Sequence, residues 1–210
     1  MSLIQPLAAG IKQLDLIASV STQEKLLDYL DLIQKWNKTF NLTALRNTEK
    51  MLTHHVLDSL AVTPYVANAE NLLDVGSGAG LPGIPLALVL PQLAVTVLDS
   101  NQKKTSFLKQ AVIHLGLKNV TVVCSRLETY QPQQKFTQII SRAFSDLNPF
   151  ITLSARLMNP GGHWLAMKGV LPTEEMARLS SAFQIHQAER LWVPGLQAER
   201  HLIILKATRK

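Results

Sequence analysis

A short apolar run that ends in a glycine-rich turn constrains the fold of this chain more than any other feature. In residues 72–85, LLDVGSGAGLPGIP, the apolar run meets an acidic residue, glycines then alternate, and apolar residues return with helical spacing. This pattern predicts a buried strand, a tight turn and the start of a helix, the first half of a βαβ unit. Glycine is needed in such a turn because a Cβ atom would block positive φ and keep a ligand off the backbone. Pro82 and Pro85 fit the first turn of the helix, where a missing N–H removes no intrahelical bond.

Beyond this turn, strand-like and helical patterns alternate. Strand-like apolar runs occupy residues 71–75, 93–98, 120–123, 137–141 and 162–167, and helical patterns occupy 81–90, 103–115, 126–130 and 146–157. Such alternation predicts an α/β fold with a doubly wound parallel sheet. A further helix is expected from Thr173, followed by strands near 183–192 and 201–207. The short turn between those two strands leaves no room for a crossover helix, so they should be antiparallel.

Residues 1–68 are predicted to form an N-terminal helical extension packed on a second unit, residues 69–210. A loosely amphipathic helical segment is expected in residues 1–20, interrupted at Pro6 and Gly10. A capping-box pattern at residues 21–24, STQE, predicts the start of the next helix. That helix leads into residues 36–44, WNKTFNLTA. Two interpretations of this segment stay open: a capped helix end with its loop, or a polar lid in which Asn37 and Asn41 bind a ligand.

A second N-terminal helix is expected from residue 48 to residue 60. It contains His54, His55 and Asp58, and either histidine shares a face with the aspartate. Adjacent histidines point about 100° apart on a helix, which disfavours a shared metal ion. We therefore expect no metal site, but a His–Asp contact that fixes this helix.

Composition describes an ordinary globular protein and excludes some classes. The chain has 210 residues, of which 47% are hydrophobic and 17% charged, as in single folded domains. No apolar run is long enough for a membrane span, and the N-terminus lacks signal-peptide features. The single cysteine, Cys124, excludes an internal disulfide and favours the cytoplasm. We expect it to be a buried structural thiol.

The net charge of +6 is unevenly distributed. Residues 1–60 contain six basic and six acidic side chains, whereas residues 61–210 contain fifteen and nine. The positive excess therefore lies in the unit built around the glycine turn, which is compatible with a polyanionic partner such as nucleic acid.

Ligands of open parallel sheets bind beyond the carboxyl ends of the strands. At this edge Asp99 should accept hydrogen bonds from ribose hydroxyls, and the residues after strand three, including Leu127 and Glu128, should lie beside an adenine ring. The ends of the later strands, with the start of the antiparallel last one, gather cationic side chains at one rim. These are Arg142, Lys168, Arg200 and His201. Such a rim suits a phosphate-bearing substrate.

The glycine turn allows two cofactor classes. The segment from Gly78 to Gly83 satisfies G-x-G-x-x-G, which suggests a nicotinamide dinucleotide and an oxidoreductase. Asp74, however, would repel a pyrophosphate and favour a cationic sulfonium cofactor. The prolines also remove N–H groups that a pyrophosphate would use. The spacing from the strand, G-x-G-x-G, fits the second class better.

Residues 71–169 resemble class I S-adenosylmethionine-dependent methyltransferases. Within that class the chain resembles the glucose-inhibited division protein B family, which methylates guanine N7 in 16S ribosomal RNA. The resemblance rests on residues 36–44, 55–60, 74–85, 98–100, 141–144, 168–169 and 199–201. It implies a Rossmann-like, mostly parallel seven-stranded sheet with an antiparallel last strand. It also implies S-adenosylmethionine as cofactor and 16S rRNA, or the small ribosomal subunit, as partner. We expect the protein to be a monomer.

The resemblance also implies which residues form the site. The cofactor residues would be Asp74, Gly76, Ser77, Gly78, Gly80, Leu81, Asp99, Ser100, Leu127, Glu128 and Arg142. We expect the catalytic residues to be Arg142, Phe144, Lys168, Arg200 and His201, with Phe144 and Arg142 as candidates to support the guanine. Guanine N7 has an in-plane lone pair and no proton, so no general base is required.

Some alternatives remain open at this stage. Phe144 is either a base platform or a core side chain beneath the site, and Arg142 supports either the guanine or the cofactor. Trp164 is expected in the core, whereas the role of Trp192 is undecided. A methyltransferase acting on another substrate, and a non-catalytic nucleotide- or RNA-binding module, also remain to be distinguished by experiment.

Overall fold

The computed structural model of the protein describes residues 3–142, 144 and 146–208. Within these residues, seven strands are present: β1 (Asn71–Val75), β2 (Ala94–Asp99), β3 (Val120–Cys124), β4 (Phe136–Ser141), β5 (Met158–Lys168), β6 (Phe183–Arg190) and β7 (His201–Ala207). They form one sheet in the order β3-β2-β1-β4-β5-β7-β6. The pairings among β1 to β5 are parallel, whereas β7 is antiparallel to both of its neighbours. The predicted mostly parallel sheet with an antiparallel last strand is confirmed.

Helices cover both faces of the sheet and form the N-terminal part of the chain. They are α1 (Ile4–Gln13), α2 (Val20–Phe40), α3 (Thr48–Met51), α4 (Asp58–Leu60), α5 (Thr63–Val66), α6 (Gly83–Val89), α7 (Gln102–Leu115), α8 (Leu147–Ser154) and α9 (Thr173–Ala177). A π-helical segment, Leu52–Leu57, joins α3 to α4 without a break, and a 3-10 turn, Ala155–Leu157, follows α8. Among the described residues, none of the helices has both the length and the hydrophobicity to cross a bilayer.

The N-terminal helices differ in detail from the prediction. Helix α1 continues through Pro6, which lies in its first turn, and through Gly10, where a Cβ would lie 2.7 Å from Leu57. This glycine therefore allows close helix packing and does not interrupt the helix. The capping box was wrong: Ser19, not Ser21, caps α2 by accepting the N–H of Thr22 at 3.1 Å.

Two predictions near β3 were also wrong. Residues 126–130 contain a turn and no helix. Cys124 is exposed and not buried, because β3 is the edge strand of the sheet and only one neighbour, β2, covers its side. An apolar run indicates a strand, but it does not distinguish an edge strand from a central one.

The hydrophobic core has two parts, one on each face of the sheet. Strand β7 shows the alternation: Leu202 and Ile204 pack with the N-terminal helices, α6 and α7, whereas Ile203 and Leu205 pack with α8. The second part contains Trp164, which is buried as predicted and donates its indole N–H to the Ser154 hydroxyl at 2.9 Å. Because the first part includes side chains of α1 and α2, the N-terminal helices share their core with the sheet.

The glycine turn is wedged between α2 and α7. The Tyr29 hydroxyl, fully buried on α2, donates to the carbonyl of Ala79 at 2.5 Å. At Gly80, where φ is +91°, a Cβ would lie 2.5 Å from Ile84 and 2.8 Å from Leu108. Gly80 is therefore required both by its backbone conformation and by the space available.

We expect Gly80→Ala to lower the free energy of unfolding by about 3 kcal/mol or more, because left-handed strain and overpacking add at this position. The matched control is Gly116→Ala. Gly116 also has positive φ, +64°, but its Cβ would meet no atom closer than 4.0 Å. Its loss should be about 1 kcal/mol, from backbone strain alone. Urea denaturation measures both values, and equal losses would contradict the packing argument.

Candidate active site

The carboxyl ends of the first three strands border a cavity of about 360 Å³ beyond the glycine turn, which we call the turn cavity. Its lining includes six residues predicted from the sequence to contact a cofactor or an acceptor base: Gly76, Asp99, Ser100, Leu127, Glu128 and Phe144. The structure therefore brings these six together. Phe144 also contacts Phe150 of the core, with ring centroids 5.4 Å apart. Its ring therefore lies between the hydrophobic core and the turn cavity.

Asp99 joins the turn to β2. Its Oδ2 accepts the N–H of Gly78 at 2.9 Å, and its Oδ1 accepts that of Asn101 at 2.8 Å. These bonds fix the carboxylate at the edge of the turn cavity. Each carboxylate oxygen can accept a second hydrogen bond, so Asp99 keeps the capacity to bind the hydroxyl groups of a ribose.

Six of the predicted cofactor residues do not line the turn cavity: Asp74, Ser77, Gly78, Gly80, Leu81 and Arg142. Three of the six, Ser77, Gly80 and Leu81, are buried in the protein. The Ser77 side chain is buried near the carbonyl of Leu98, and Leu81 belongs to the core. Gly80 faces Ile84 and Leu108, as described above. These three residues would affect a bound ligand by fixing the shape of the turn. Their direct contact with a cofactor stays a prediction.

Gly83 completes the pattern that suggested a dinucleotide. A Cβ at Gly83 would lie 2.7 Å from Val97 and 2.8 Å from Asp74 Oδ2, and its N–H donates to that oxygen at 2.9 Å. Close packing of α6 against the sheet thus explains this glycine. The pattern G-x-G-x-x-G therefore gives no support to the oxidoreductase alternative.

Asp74 is a fully buried carboxylate directly before the turn. Oδ2 accepts the Gly83 N–H, while Oδ1 has no hydrogen-bond partner among the described residues. Burial raises the pKa of Asp74 to about 7, against the lowering effects of that hydrogen bond and of the Arg142 charge. Asp74 lines neither of the two cavities described in this subsection, so it would act on a cationic ligand group at the turn through its charge and not by direct contact.

A second cavity of about 440 Å³ lies where the ends of β4 and β5 meet the start of β7, and we call it the cationic cavity. Arg142, Lys168 and Arg200 line it together with His54, His55 and Asp58. The structure thus brings three of the four predicted cationic residues into one wall. Arg142 lines this cavity and Phe144 the other, so the end of β4 separates the two.

Two arginines share the carboxylate of Asp58, which is 1% exposed. Arg142 Nη1 donates to Oδ2 at 3.0 Å, and Arg200 Nε donates to Oδ1 at 2.8 Å. Arg142 Nη1 also donates to the carbonyl of His54 at 3.0 Å. The expected His–Asp contact was therefore wrong, because arginines that are distant in sequence occupy both oxygens of Asp58.

Lys168 and His201 are held by neighbouring groups. Lys168 Nζ donates to Glu175 Oε2 at 2.8 Å and to the carbonyl of Phe144 at 3.2 Å. His201 Nδ1 lies 2.9 Å from the carbonyl of Gly169, and His201 does not line the cationic cavity. His201 thus supports a lining residue, and its contact with a substrate stays a prediction.

The segment that follows α2 forms the wall near His55. Asn37 Oδ1 accepts the N–H of Thr43 and Asn37 Nδ2 donates to the carbonyl of Leu45, at 3.0 and 3.1 Å. Asn41 ends α2 in a left-handed conformation. The two asparagines therefore organise the loop, as the first interpretation held. Thr43 Oγ1 in turn bonds His55 Nε2 at 2.9 Å, and burial, with the Arg142 charge, lowers the pKa of His55 to about 4.

Sequence reasoning missed several supporting residues. Tyr29 holds the turn, Glu175 holds Lys168, and Arg156 Nη2 donates to the carbonyl of Leu127 at 2.7 Å. None of these pairs has a local signal, because the partners are between 7 and 50 residues apart in the chain.

Comparison with known proteins adds a family. The GidB family model, described as rRNA small subunit methyltransferase G, matches residues 22–203. The Ribosomal RNA small subunit methyltransferase G of Laribacter hongkongensis is 52% identical over 205 residues, 98% of this chain and 99% of that protein. The protein of the same name from Aromatoleum aromaticum is 52% identical over 204 residues, 95% of this chain and 97% of its own.

Solved structures are similar in fold. A SAM-dependent methyltransferase from Thiobacillus denitrificans, in complex with S-adenosyl-L-homocysteine, has a TM-score of 0.56 at 16% identity, covering 72% of this chain and 90% of that one. TrmN from Thermus thermophilus has a TM-score of 0.56 at 17% identity, covering 75% and 53%. At these identities the likeness concerns the fold alone.

The raised pKa of Asp74 predicts a pH-dependent stability. Because the folded-state pKa of about 7 exceeds the ordinary value of 3.8, the stabilising neutral form is present below pH 3.8 and is lost as the pH rises through 7. We expect Asp74→Asn to be more stable than the wild type above pH 7, by an amount on the order of 1–4 kcal/mol. This difference should shrink toward pH 4. Urea denaturation between pH 4 and 8 measures it, and parallel curves would contradict it.

His55 provides a control of opposite sign. Its folded-state pKa of about 4 lies below the ordinary 6.5, so the stability of its neutral form is present above pH 6.5 and is lost as the pH falls through 4. His55→Gln should therefore reduce the loss of stability between pH 6.5 and 4. The two variants should change the slope of stability against pH in opposite directions.

Proposed function

Because the chain belongs to the GidB family, described as rRNA small subunit methyltransferase G, we propose that it uses S-adenosylmethionine to methylate N7 of a guanine in the decoding-region loop of 16S rRNA. The observation that carries the proposal is the pair of cavities divided by the end of β4. The turn cavity combines the carboxylates Asp99 and Glu128 with apolar side chains, and its cations Lys104 and Arg126 balance their charge. The adjoining cationic cavity has an excess of positive charge, which suits RNA. The relatives' name supports small-subunit rRNA as substrate.

The residues of the turn cavity fit the cofactor. Asp99 would accept the ribose hydroxyls, while Leu127 and Glu128 would contact the adenine. Asp74 lies outside the cavity lining, buried directly before the turn, and its charge would favour the positive charge of the methionyl end. When bound, S-adenosylmethionine supplies a methyl group on a positively charged sulfur.

The cationic cavity fits an unpaired nucleotide. A base must leave its stack to reach an enclosed site, and its phosphate then needs cationic partners. Arg142 and Arg200 provide those partners at the cavity wall. Phe144, at the boundary between the cavities, would contact the base edge-on or by stacking.

Guanine N7 requires little acid–base chemistry from the protein. Its lone pair lies in the plane of the ring and bears no proton, so the transfer needs no general base. The protein contributes by holding the acceptor atom in line, an effect worth up to several kcal/mol. His55 is kept neutral by its low pKa, so it adds no positive charge beside a base that becomes cationic on methylation.

Free rRNA and the assembled small subunit are both possible substrates, and we expect the enzyme to act as a cytoplasmic monomer. The excess of basic residues after residue 60 supports a polyanionic partner in either case.

Methyl transfer to defined RNA tests the proposal. Labelled S-adenosylmethionine should modify 16S rRNA from cells that lack this protein, and mapping should locate the label on guanine N7. RNA with 7-deazaguanosine at the mapped position should bind with unchanged affinity but accept no methyl group, because a C–H replaces the acceptor lone pair. Transfer to the deaza substrate would contradict N7 as the acceptor.

Arg200→Ala should weaken rRNA binding and reduce the slope of log affinity against log salt by about 0.7–0.9, the effect of one lost phosphate contact. Affinity for S-adenosylhomocysteine should not change. Lys118→Ala is the charge-matched control, because Lys118 lies before the start of β3, at the opposite edge of the sheet. Equal slopes for Arg200→Ala and the wild type would exclude this phosphate contact.

A further inference from the structure

The cationic cavity contains a carboxylate where an RNA-binding site would be expected to avoid one. Asp58 would repel a phosphate group, yet it is buried at the base of the wall that carries Arg142 and Arg200. The side chains of these arginines are 27% and 23% exposed. The carboxylate therefore lies behind the guanidinium groups, which remain partly accessible.

The hydrogen bonds of the two arginines leave many donors unused. Arg142 commits Nη1 to Asp58 and to the carbonyl of His54, and Arg200 commits Nε to Asp58 and Nη1 to the carbonyl of Glu199 at 2.8 Å. Nε and Nη2 of Arg142, and Nη2 of Arg200, have no hydrogen-bond partner among the described residues. Both guanidinium groups are thus fixed through one set of N–H groups and keep another set for a ligand.

The local charges define what that ligand is. Two arginines and one carboxylate sum to +1, and Lys168 is neutralised by Glu175 at 2.8 Å. A single phosphodiester carries −1 and presents two oxygen atoms, one for the unused N–H groups of each fixed guanidinium group.

We propose that Asp58 is a positioning residue that turns Arg142 and Arg200 into one binding site for the phosphodiester of the target nucleotide. This inference rests on the proposed function. Asp58 does not touch the RNA. It fixes two long side chains before the RNA binds. Their rotamer entropy is therefore already lost in the free protein and does not reduce the binding free energy.

Positioning and simple electrostatics predict opposite results for Asp58→Asn. Removing a negative charge beside a phosphate should tighten RNA binding if Asp58 acts by its charge alone. If Asp58 positions the arginines, the affinity for 16S rRNA should fall on the order of tenfold or more. The KM for rRNA should rise with a smaller change in kcat. Filter binding and initial-rate kinetics measure these effects at a temperature where both proteins are folded.

Glu199→Gln is the matched control. It also converts a carboxylate to an amide close to the site, but the Glu199 side chain is half exposed and pairs with Arg190 at 3.8 Å, away from Asp58. Its rRNA affinity should stay at the wild-type value or rise slightly. An Asp58→Asn affinity that equals or exceeds that of Glu199→Gln would overturn the proposal.

A double-mutant cycle tests whether Asp58 acts through Arg200. In the Arg200→Ala background, Asp58→Asn should weaken rRNA binding by a clearly smaller factor than in the wild type. Additive losses would indicate a general structural role and would overturn the inference. If Asp58→Asn does not fold, Arg200→Lys provides the test. It keeps the charge without the fork, so it should bind rRNA as weakly as Arg200→Ala, and wild-type affinity would overturn the inference.

These outcomes separate the two proposals. If the wild type transfers no methyl group to rRNA, the proposed function fails whatever the variants show. If the wild type is active but Asp58→Asn behaves like Glu199→Gln, only the inference about Asp58 fails.

Discussion

One buried carboxylate connects the parts of this protein that form its candidate active site. Asp58 comes from the N-terminal helices, Arg142 from the end of β4 and Arg200 from the residue before β7, and they meet within 3.0 Å. A buried carboxylate without partners would be strongly unfavourable, whereas two guanidinium groups satisfy both of its oxygens. The position of the N-terminal helices relative to the sheet is thereby tied to the shape of the cationic cavity. The N-terminal helices therefore contribute directly to the candidate site and do not only cover the sheet.

The glycine turn is constrained from the same side of the molecule. Tyr29 of α2 bonds the carbonyl of Ala79, and Gly80 packs against α6 and α7. The first part of the core therefore supports one side of the turn, and the turn cavity lies on its other side. This arrangement explains why three predicted cofactor residues, Ser77, Gly80 and Leu81, face the protein. A turn that approaches a ligand with its backbone needs its side chains for support.

The sequence predicted the features that depend on local patterns or on topology. Apolar runs located the strands of the sheet, and the rule that parallel strands end at one edge placed Arg142 and Lys168 beside Arg200. Pairings between distant residues had no such signal. His55 and Asp58, three residues apart, were an attractive pair, yet Arg142 and Arg200 lie 84 and 142 residues from that aspartate. The solvent exposure of Cys124 could not be predicted either, because the apolar run before it does not show that β3 has a neighbouring strand on one side only.

The π-helical segment Leu52–Leu57 determines in which direction Asp58 points from its helix. A π-helical turn holds one residue more than an α-helical turn, and successive residues of an α-helix are about 100° apart. If the same residues formed an ordinary α-helix, Asp58 would be turned by roughly 100° about the helix axis, away from both arginines, and deleting one residue would turn it back. The phase of one helix, set by one surplus residue, thus determines which side chain the two guanidinium groups meet.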